Sequence, residues 1–416
     1  MSEPRLSAKI WAGFLAIFMV VNFLFGRPIE EPRTQSFHVD VSFDPSLRKE
    51  SFTGRLYLMI FRSDHKTLQK WPNWFNPEPC FVRKVSNWEP GSTLSFDDSA
   101  LGFPHRLSKL PKGTYTFQAV MDVNPDHAHF SVAPGNLYAI TRKEFDPEKP
   151  SGISLQMNQV FKQVEPGDTD RVHFLKVRSN LVSNFHHRPT YLRAGVVLPE
   201  SYLRNTDKKY PVLLEIPGFG GNHLSALHMA GRGVSRVKGR EVLHVVLDPS
   251  CHHGHHVFAD SANNGPYGRA LIEELIPEIE KRFRVLPGPR NRILTGHSSG
   301  GWSTLWLQTT YPDMFAGCWS TAPDPVDFRD FQRINLYRSG ENMFLDREGQ
   351  TRPIARRNGK AVLFYRSFSD MEEIMGHGGQ LASFEAVFSN RGEDGQPCKL
   401  WNRKTGEIDP QVAESW

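Results

Sequence analysis

The sequence predicts a two-part chain. An all-β, sandwich-like accessory domain spans residues 36–165, and an α/β domain on a mostly parallel sheet spans 166–416. Three observations carry this reading. Up to about Glu165 apolar residues recur with a period of two, in short runs separated by Gly/Pro turn clusters. Beyond Pro166-Gly167-Asp168, near-continuous apolar strands alternate with helical patterns, as parallel strands covered on both faces do. Finally, Gly296-His297-Ser298-Ser299-Gly300 lies between such a strand and such a helix.

Composition narrows the class. In 416 residues, 39% are hydrophobic and 23% charged, which excludes a disordered chain. The net charge of +5 is thin and scattered, so no nucleic-acid footprint is expected. The 4 Cys form no CxxC pair, which excludes a small disulfide scaffold and a zinc ribbon. No metal centre and no cofactor is expected.

The elements follow in order. In residues 1–26, Arg5 and Lys9 precede an apolar run over 10–25, which reads as a signal peptide or an N-terminal membrane anchor. No small-x-small cleavage site follows, and the run is slightly short of the ~20 residues of a membrane span. An uncleaved anchor or an atypical cut fits both facts; the other reading is a buried helix of the fold. Residues 27–35 are a polar, Pro-bearing linker. The expected location is therefore exported: periplasmic, secreted or membrane-anchored.

In the β-rich part, Phe37, Val39, Val41 and Phe43 alternate with polar residues. So do Tyr115, Phe117, Ala119 and Met121, after the turn Pro111-Lys112-Gly113, while 56–61 is a continuous apolar strand. Trp71, Trp74, Phe75 and Trp88 are either core aromatics or a platform for a sugar. In the second part, strands are expected at 191–198, 210–216, 242–247, 292–295 and 315–320, and a further one at 361–365. One helix presents Leu271, Leu275, Ile276, Ile279 and Phe283 on a single face, and another covers 299–310. Near the end, Asp409 and Pro410 read as the N-cap and first residue of a new helix.

The chemistry centres on Ser298. A sharp strand-to-helix turn would lift its hydroxyl above the sheet and place it at a helix N-terminus, a favourable site for a developing oxyanion. The competing reading is a plain Gly/Ser turn. Pro217-Gly218-Phe219-Gly220-Gly221 follows the strand two before the nucleophile strand, where a backbone N–H can face the substrate carbonyl. The expected oxyanion hole is the N–H of Phe219 with that of Ser299. A phosphate cradle is a poor alternative because no Lys-Ser/Thr follows the glycines. His297, Gly220 and Asp260 are candidate substrate-binding positions, though His297 would point away from the Ser298 Oγ and cannot be its base. Cys251-His252-His253-Gly254-His255-His256 could crowd around a metal, but no acidic partner stands at fixed spacing, so a polar loop is expected.

With these motifs in place, residues 190–325 resemble the family named Putative esterase, the esterase D and enterochelin-esterase-like branch of the α/β-hydrolases. The carriers are the PGFGG loop, Phe258-Ala259-Asp260-Ser261 with Gly265-Pro266-Tyr267-Gly268, the helix LIEELIPEIEKRF, and GHSSGG before a Trp-bearing helix. The resemblance implies an α/β-hydrolase fold and hydrolysis of carboxylic esters by a Ser-His-Asp/Glu triad. In these hydrolases the order is Ser, acid, His.

Here the sequence departs from the pattern. After Ser298 the sole histidine is His377, and the acid candidates are Asp324, Asp327, Asp330, Asp346 and Asp370. The strand at 361–365 favours Asp370, yet Asp370 and His377 stand close together with no strand between them. The expectation is a C-terminally truncated hydrolase domain whose true acid and His lie beyond residue 416, with Asp370 and His377 as the in-chain alternative. The expected function is an exported serine hydrolase acting on a small-molecule or glycan ester. An acyltransferase would use the same parts, and the alternative is a non-catalytic binding protein on a hydrolase scaffold.

Overall fold

Two facing sheets share the first apolar core. The computed structural model describes residues 37–146, 152–162, 166–231 and 236–416, so the apolar run at 10–25 and the linker lie outside the described residues. The strands of the first part are β1 (Val39–Phe43), β2 (Phe52–Phe61), β3 (Cys80–Trp88), β4 (Leu94–Phe96), β5 (Leu101–Phe103), β6 (Gly113–Met121), β7 (Leu137–Phe145), β8 (Ile153–Met157) and β9 (Gln159–Val160). One sheet has the order β4-β1-β8 and the other β5-β3-β2-β6-β7-β9. The larger sheet is antiparallel throughout, whereas β1 runs parallel to β8. Val39, Val41 and Phe43 face Leu56, Leu58, Ile60, Phe117 and Ala119 across the core, so the period-two pattern is the pleat of strands with one buried face.

Strand β2 is continuously apolar because both its faces are covered. Leu56, Leu58 and Ile60 enter the first core, and Tyr57, Met59 and Phe61 enter a second one. The aromatic platform dissolves in the same way. Trp71 is fully buried and donates Nε1–H to Glu78 O at 2.7 Å. Trp88 packs edge-on against Phe43, Trp74 stacks on Phe368 at 4.2 Å, and Phe75 alone is exposed.

The second part has a mostly parallel sheet of β10 (Val172–Ser179), β11 (Thr190–Val197), β12 (Val212–Ile216), β13 (Leu243–Leu247), β14 (Arg292–His297) and β15 (Gly317–Thr321). Its order is β10-β11-β13-β12-β14-β15. The first three strands pair antiparallel, and the last four run parallel. Helix α1 (Asn180–His186) joins β10 to β11. Helix α2 has three contiguous stretches, Tyr267–Ala270, the π-helical Leu271–Leu275, and Ile276–Arg282. The π-helical turn lies just before Pro277, whose ring and missing N–H disrupt a regular i→i−4 ladder. Leu271, Leu275, Ile276 and Ile279 pack on the sheet. Helix α3 (Ser299–Thr310) follows β14 directly.

After β15 the chain leaves this sheet. The strand expected at 361–365 is β17 (Lys360–Phe364), and it pairs with β16 (Pro353–Arg357) as a separate hairpin. It therefore places no acid at the edge of the parallel sheet. Helices α4 (Tyr365–Met375), α5 (Gln380–Phe388) and α6 (Pro410–Ser415) follow. Asp409 caps α6 by accepting from Gln411 N and Val412 N. This segment covers the second face of the larger N-terminal sheet, with Phe368, Met371, Phe384 and Trp401 against Tyr57, Met59 and Trp71. Arg55 Nη2 donates to Glu373 O at 2.8 Å and Ile374 O at 2.9 Å, and Tyr57 OH to Met375 O at 2.6 Å, which satisfies the C-terminal carbonyls of α4. The four cysteines are free. No helix among the described residues is long and apolar enough to cross a membrane.

Candidate active site

Ser298 stands between β14 and α3 with φ 57° and ψ −124°, a conformation that non-glycine residues rarely adopt. The surrounding backbone holds it there. Ser298 N donates to Thr321 O at 3.1 Å, and Ser298 O accepts from Trp302 N at 3.0 Å. The flanking glycines are demanded by space. A Cβ on Gly296 would lie 2.2 Å from Gly300 O, and one on Gly300 would lie 1.9 Å from Ile216 O. Only bare backbone lets the first turn of α3 close onto the ends of β12 and β14.

The PGFGG loop touches this elbow. A Cβ on Gly218 would lie 3.0 Å from His297 O and 3.4 Å from the Ser298 Cβ. Gly221 N closes the turn on Gly218 O at 3.0 Å, with Gly220 between them at φ +81°. The Phe219 N–H has no hydrogen-bond partner among the described residues, and Ser299, as the first residue of α3, has a helix-start N–H pointing out of the ladder.

The sequence favoured Asp370, whereas the neighbour of Ser298 is Asp324, another of the acid candidates that follow it. Its Oδ1 accepts from Ser298 Oγ at 3.4 Å, and its Oδ2 accepts from Ser299 Oγ at 2.5 Å. Burial pushes its pKa up, while the two serine hydroxyls and nearby His297 work in the other direction. Among the described residues it is the only hydrogen-bond partner of the Ser298 hydroxyl.

The in-chain alternative for the other two triad members is not assembled. Asp370 sits on α4 and pairs with Arg366 at 3.6 Å, one helical turn away. His377 faces the N-terminal sheet instead. Its Nε2 is 3.6 Å from Asp122 Oδ2, too long for a hydrogen bond, and its ring stacks on His252 at 4.7 Å. Burial, with His252 and Arg55 nearby, lowers its pKa to about 3. No hydrogen bond or ion pair joins it to Ser298 or Asp370 among the described residues.

Other candidates have structural partners. Asp260 Oδ1 accepts from Gly268 N at 2.8 Å and Arg269 N at 3.1 Å, so its carboxylate caps α2 and is not turned to a substrate. His297 is exposed at the end of β14. The histidine run is only partly a polar loop. His255 and His256 are buried, and His256 stacks on Tyr267 at 3.7 Å. His255 Nδ1 accepts from Val257 N, so Nε2 carries the proton and donates to Pro217 O at 2.9 Å, which props the glycine loop. Burial lowers the His255 pKa to about 4, keeping that proton arrangement at neutral pH. No group of His, Cys, Asp or Glu positioned to hold a metal ion occurs among the described residues.

A further pair escaped the sequence entirely. His223 Nδ1 lies 2.8 Å from Asp248 Oδ2, and both side chains are nearly buried. Burial works to raise the Asp248 pKa, but His223 and Ser250 outweigh it and hold it below the ordinary range. The clue was a histidine two residues after the loop and an aspartate ending the neighbouring strand. Nothing local in the sequence says that they meet.

Among solved structures, the chain is similar to the fluorophosphonate-binding serine hydrolase FphF of Staphylococcus aureus, at 18% identity and a TM-score of 0.31, over 38% of this chain and 59% of that one. It is similar to a ferulic acid esterase of the anaerobic fungus Anaeromyces mucronatus, at 20% identity and a TM-score of 0.28, over 39% of this chain and 63% of that one. It is also similar to the S-formylglutathione hydrolase FrmB of Staphylococcus aureus, at 18% identity and a TM-score of 0.27, over 35% of this chain and 54% of that one. The chain thus spans less than two thirds of the length of these structures. The family profile described as Putative esterase matches residues 189–378, the stretch that holds the glycine loop, α2 and the Ser298 elbow. That stretch is similar to this esterase family, and the α/β-hydrolase fold that the family implies fits its mostly parallel sheet.

Proposed function

We propose that the protein is a serine esterase in which Ser298 attacks the carbonyl of a carboxylic ester, and that it works outside the cytoplasm. The observation that carries the first part is the strained Ser298 elbow, held by the backbone at the start of α3 and in contact with the glycine loop. The N–H groups of Phe219 and Ser299 are the donors assigned to the tetrahedral oxyanion, with Gly220 giving the loop its left-handed turn. Attack converts the ester to an acyl-Ser298 and releases the alcohol; water, or a second alcohol in an acyltransferase, then takes the acyl group. In the resting state Asp324 accepts the Ser298 hydroxyl proton in a long hydrogen bond. Location outside the cytoplasm is supported by Arg5, Lys9 and the apolar run at 10–25.

A non-catalytic ligand-binding protein on the same scaffold is the second reading. What favours it is that no imidazole hydrogen-bonds to the Ser298 hydroxyl among the described residues. Steady-state hydrolysis of a panel of acyl esters by the wild type and Ser298→Ala separates the two. The esterase reading expects turnover that falls at least about 100-fold in the variant. Turnover identical in both proteins, or none above buffer, leaves the binding reading standing.

A further inference from the structure

A concavity opens where loops of the α/β part meet the turn at Pro125–Asp126 that follows β6. This cavity of about 680 Å³ takes its walls from the segment after α1, the start of β11, the hairpin that follows β13, a turn at Pro125–Asp126, and residues just beyond α5; Ser298 is not among its lining residues. The lining carries three guanidinium groups, from Arg188, Arg193 and Arg391, and a single carboxylate, Asp126. That carboxylate is already committed, because Arg188 Nη2 lies 2.5 Å from Asp126 Oδ1.

The other two cations are not neutralised. Arg193 is half-buried, and its side chain makes no hydrogen bond or ion pair among the described residues. Arg391 donates Nε–H to Gly395 O at 3.0 Å and leaves its two terminal nitrogens without an acceptor among the described residues. On the same wall Asn264, only 2% exposed, has an Nδ2 with no hydrogen-bond partner among the described residues. Donors without acceptors therefore gather here from three separate segments. Half-buried Arg193 loses hydration without gaining a partner, whereas Arg391 is exposed at the rim. The planar fork of each guanidinium matches a carboxylate or phosphate in two parallel hydrogen bonds.

We propose that this cavity is a binding site for a small anionic ligand, whose carboxylate or phosphate group is held by Arg193 and Arg391. It does not rest on the esterase reading, since neither arginine hydrogen-bonds to the Ser298 elbow or the glycine loop among the described residues. The cavity volume suits a ligand of monosaccharide to disaccharide size.

Isothermal titration of the full chain at low ionic strength tests it, using inorganic phosphate, sodium glucuronate and neutral glucose at millimolar concentration. One or both anions should bind with one-to-one stoichiometry and glucose should not; the tighter anion identifies the source of the charge. Arg193→Gln and Arg391→Gln should each weaken that binding at least about tenfold. Arg391 lies outside the regular elements, so its variant decides the matter if Arg193→Gln fails to fold. Absence of anion binding by the wild type, equal binding of glucose, or wild-type affinity in a folded Arg391→Gln would overturn the proposal.

Discussion

Ser298 occupies a backbone conformation that costs about 1–3 kcal/mol, and the residues around it supply the restraint that keeps it there. The restraint depends on close approach of main chain to main chain at Gly296 and Gly300. Gly300→Ala drives a methyl into Ile216 O and is expected to destabilise the fold by about 3 kcal/mol, the upper end of overpacking costs. A urea unfolding series reads this directly, and a change below about 0.5 kcal/mol would contradict the close packing described. At this scale the sequence was informative wherever a residue type is dictated locally. The spacing of Gly296, Ser298 and Gly300 announces a strained turn, and Asp409-Pro410 announces a helix start. His223 and Asp248 were opaque because their pairing depends on two loops converging at one sheet edge. Asp260 misled for a related reason, since a carboxylate near a site looks the same in sequence whether it binds substrate or caps a helix.

Among elements, β15 is the outermost strand of the parallel sheet among the described residues, and it carries Trp319 at 71% exposure. An exposed strand edge with a large apolar side chain favours pairing between molecules. Trp319→Lys should reduce concentration-dependent light scattering while leaving the unfolding midpoint within about 0.5 kcal/mol. Unchanged scattering would show that this edge does not drive association. Strand existence was legible for β11 to β15 from apolar runs of the right length. The partner of β17 was not, because an apolar run fixes neither its sheet nor its neighbours. The π-helical turn of α2 was likewise hidden, although Pro277 within a helical pattern marks the place.

Across the whole molecule, the division into a β-rich part and an α/β part followed from a change of hydrophobic period. That the last segment returns to cover the first part did not, since Tyr57 and Phe368 are brought together only by the folded topology. This junction gathers imidazoles. His377, His253 and His129 each have a pKa lowered to about 3 by burial, the first two with help from His252. The unfolded chain, with an ordinary value near 6.5, then binds more protons than the fold between about pH 6.5 and 3. Stability is therefore full above pH 6.5 and falls as the pH drops through that window. Asp122 has the opposite sign, because burial raises it from 3.8 to about 6 and its protonation in the fold adds stability between those values. Glu372, raised by burial to about 7, has the same sign as Asp122. The three imidazoles, each on the order of 2 kcal/mol at pH 5, act together with the buried His255 and His256, which burial also lowers, and outweigh the two carboxyls. Thermal unfolding should have a lower midpoint at pH 5 than at pH 7, and His377→Gln should narrow the gap. An equal or higher midpoint at pH 5 would contradict this account of the junction.

The central claim is that the elbow makes Ser298 a nucleophile. Its most direct test is mass spectrometry of peptides from the full chain after incubation with a fluorophosphonate, which forms a covalent bond only with an activated hydroxyl. One adduct is expected, on the peptide containing Ser298, and none in Ser298→Ala. An adduct that persists at full level in Ser298→Ala, or a wild-type chain that stays unlabelled, would contradict it.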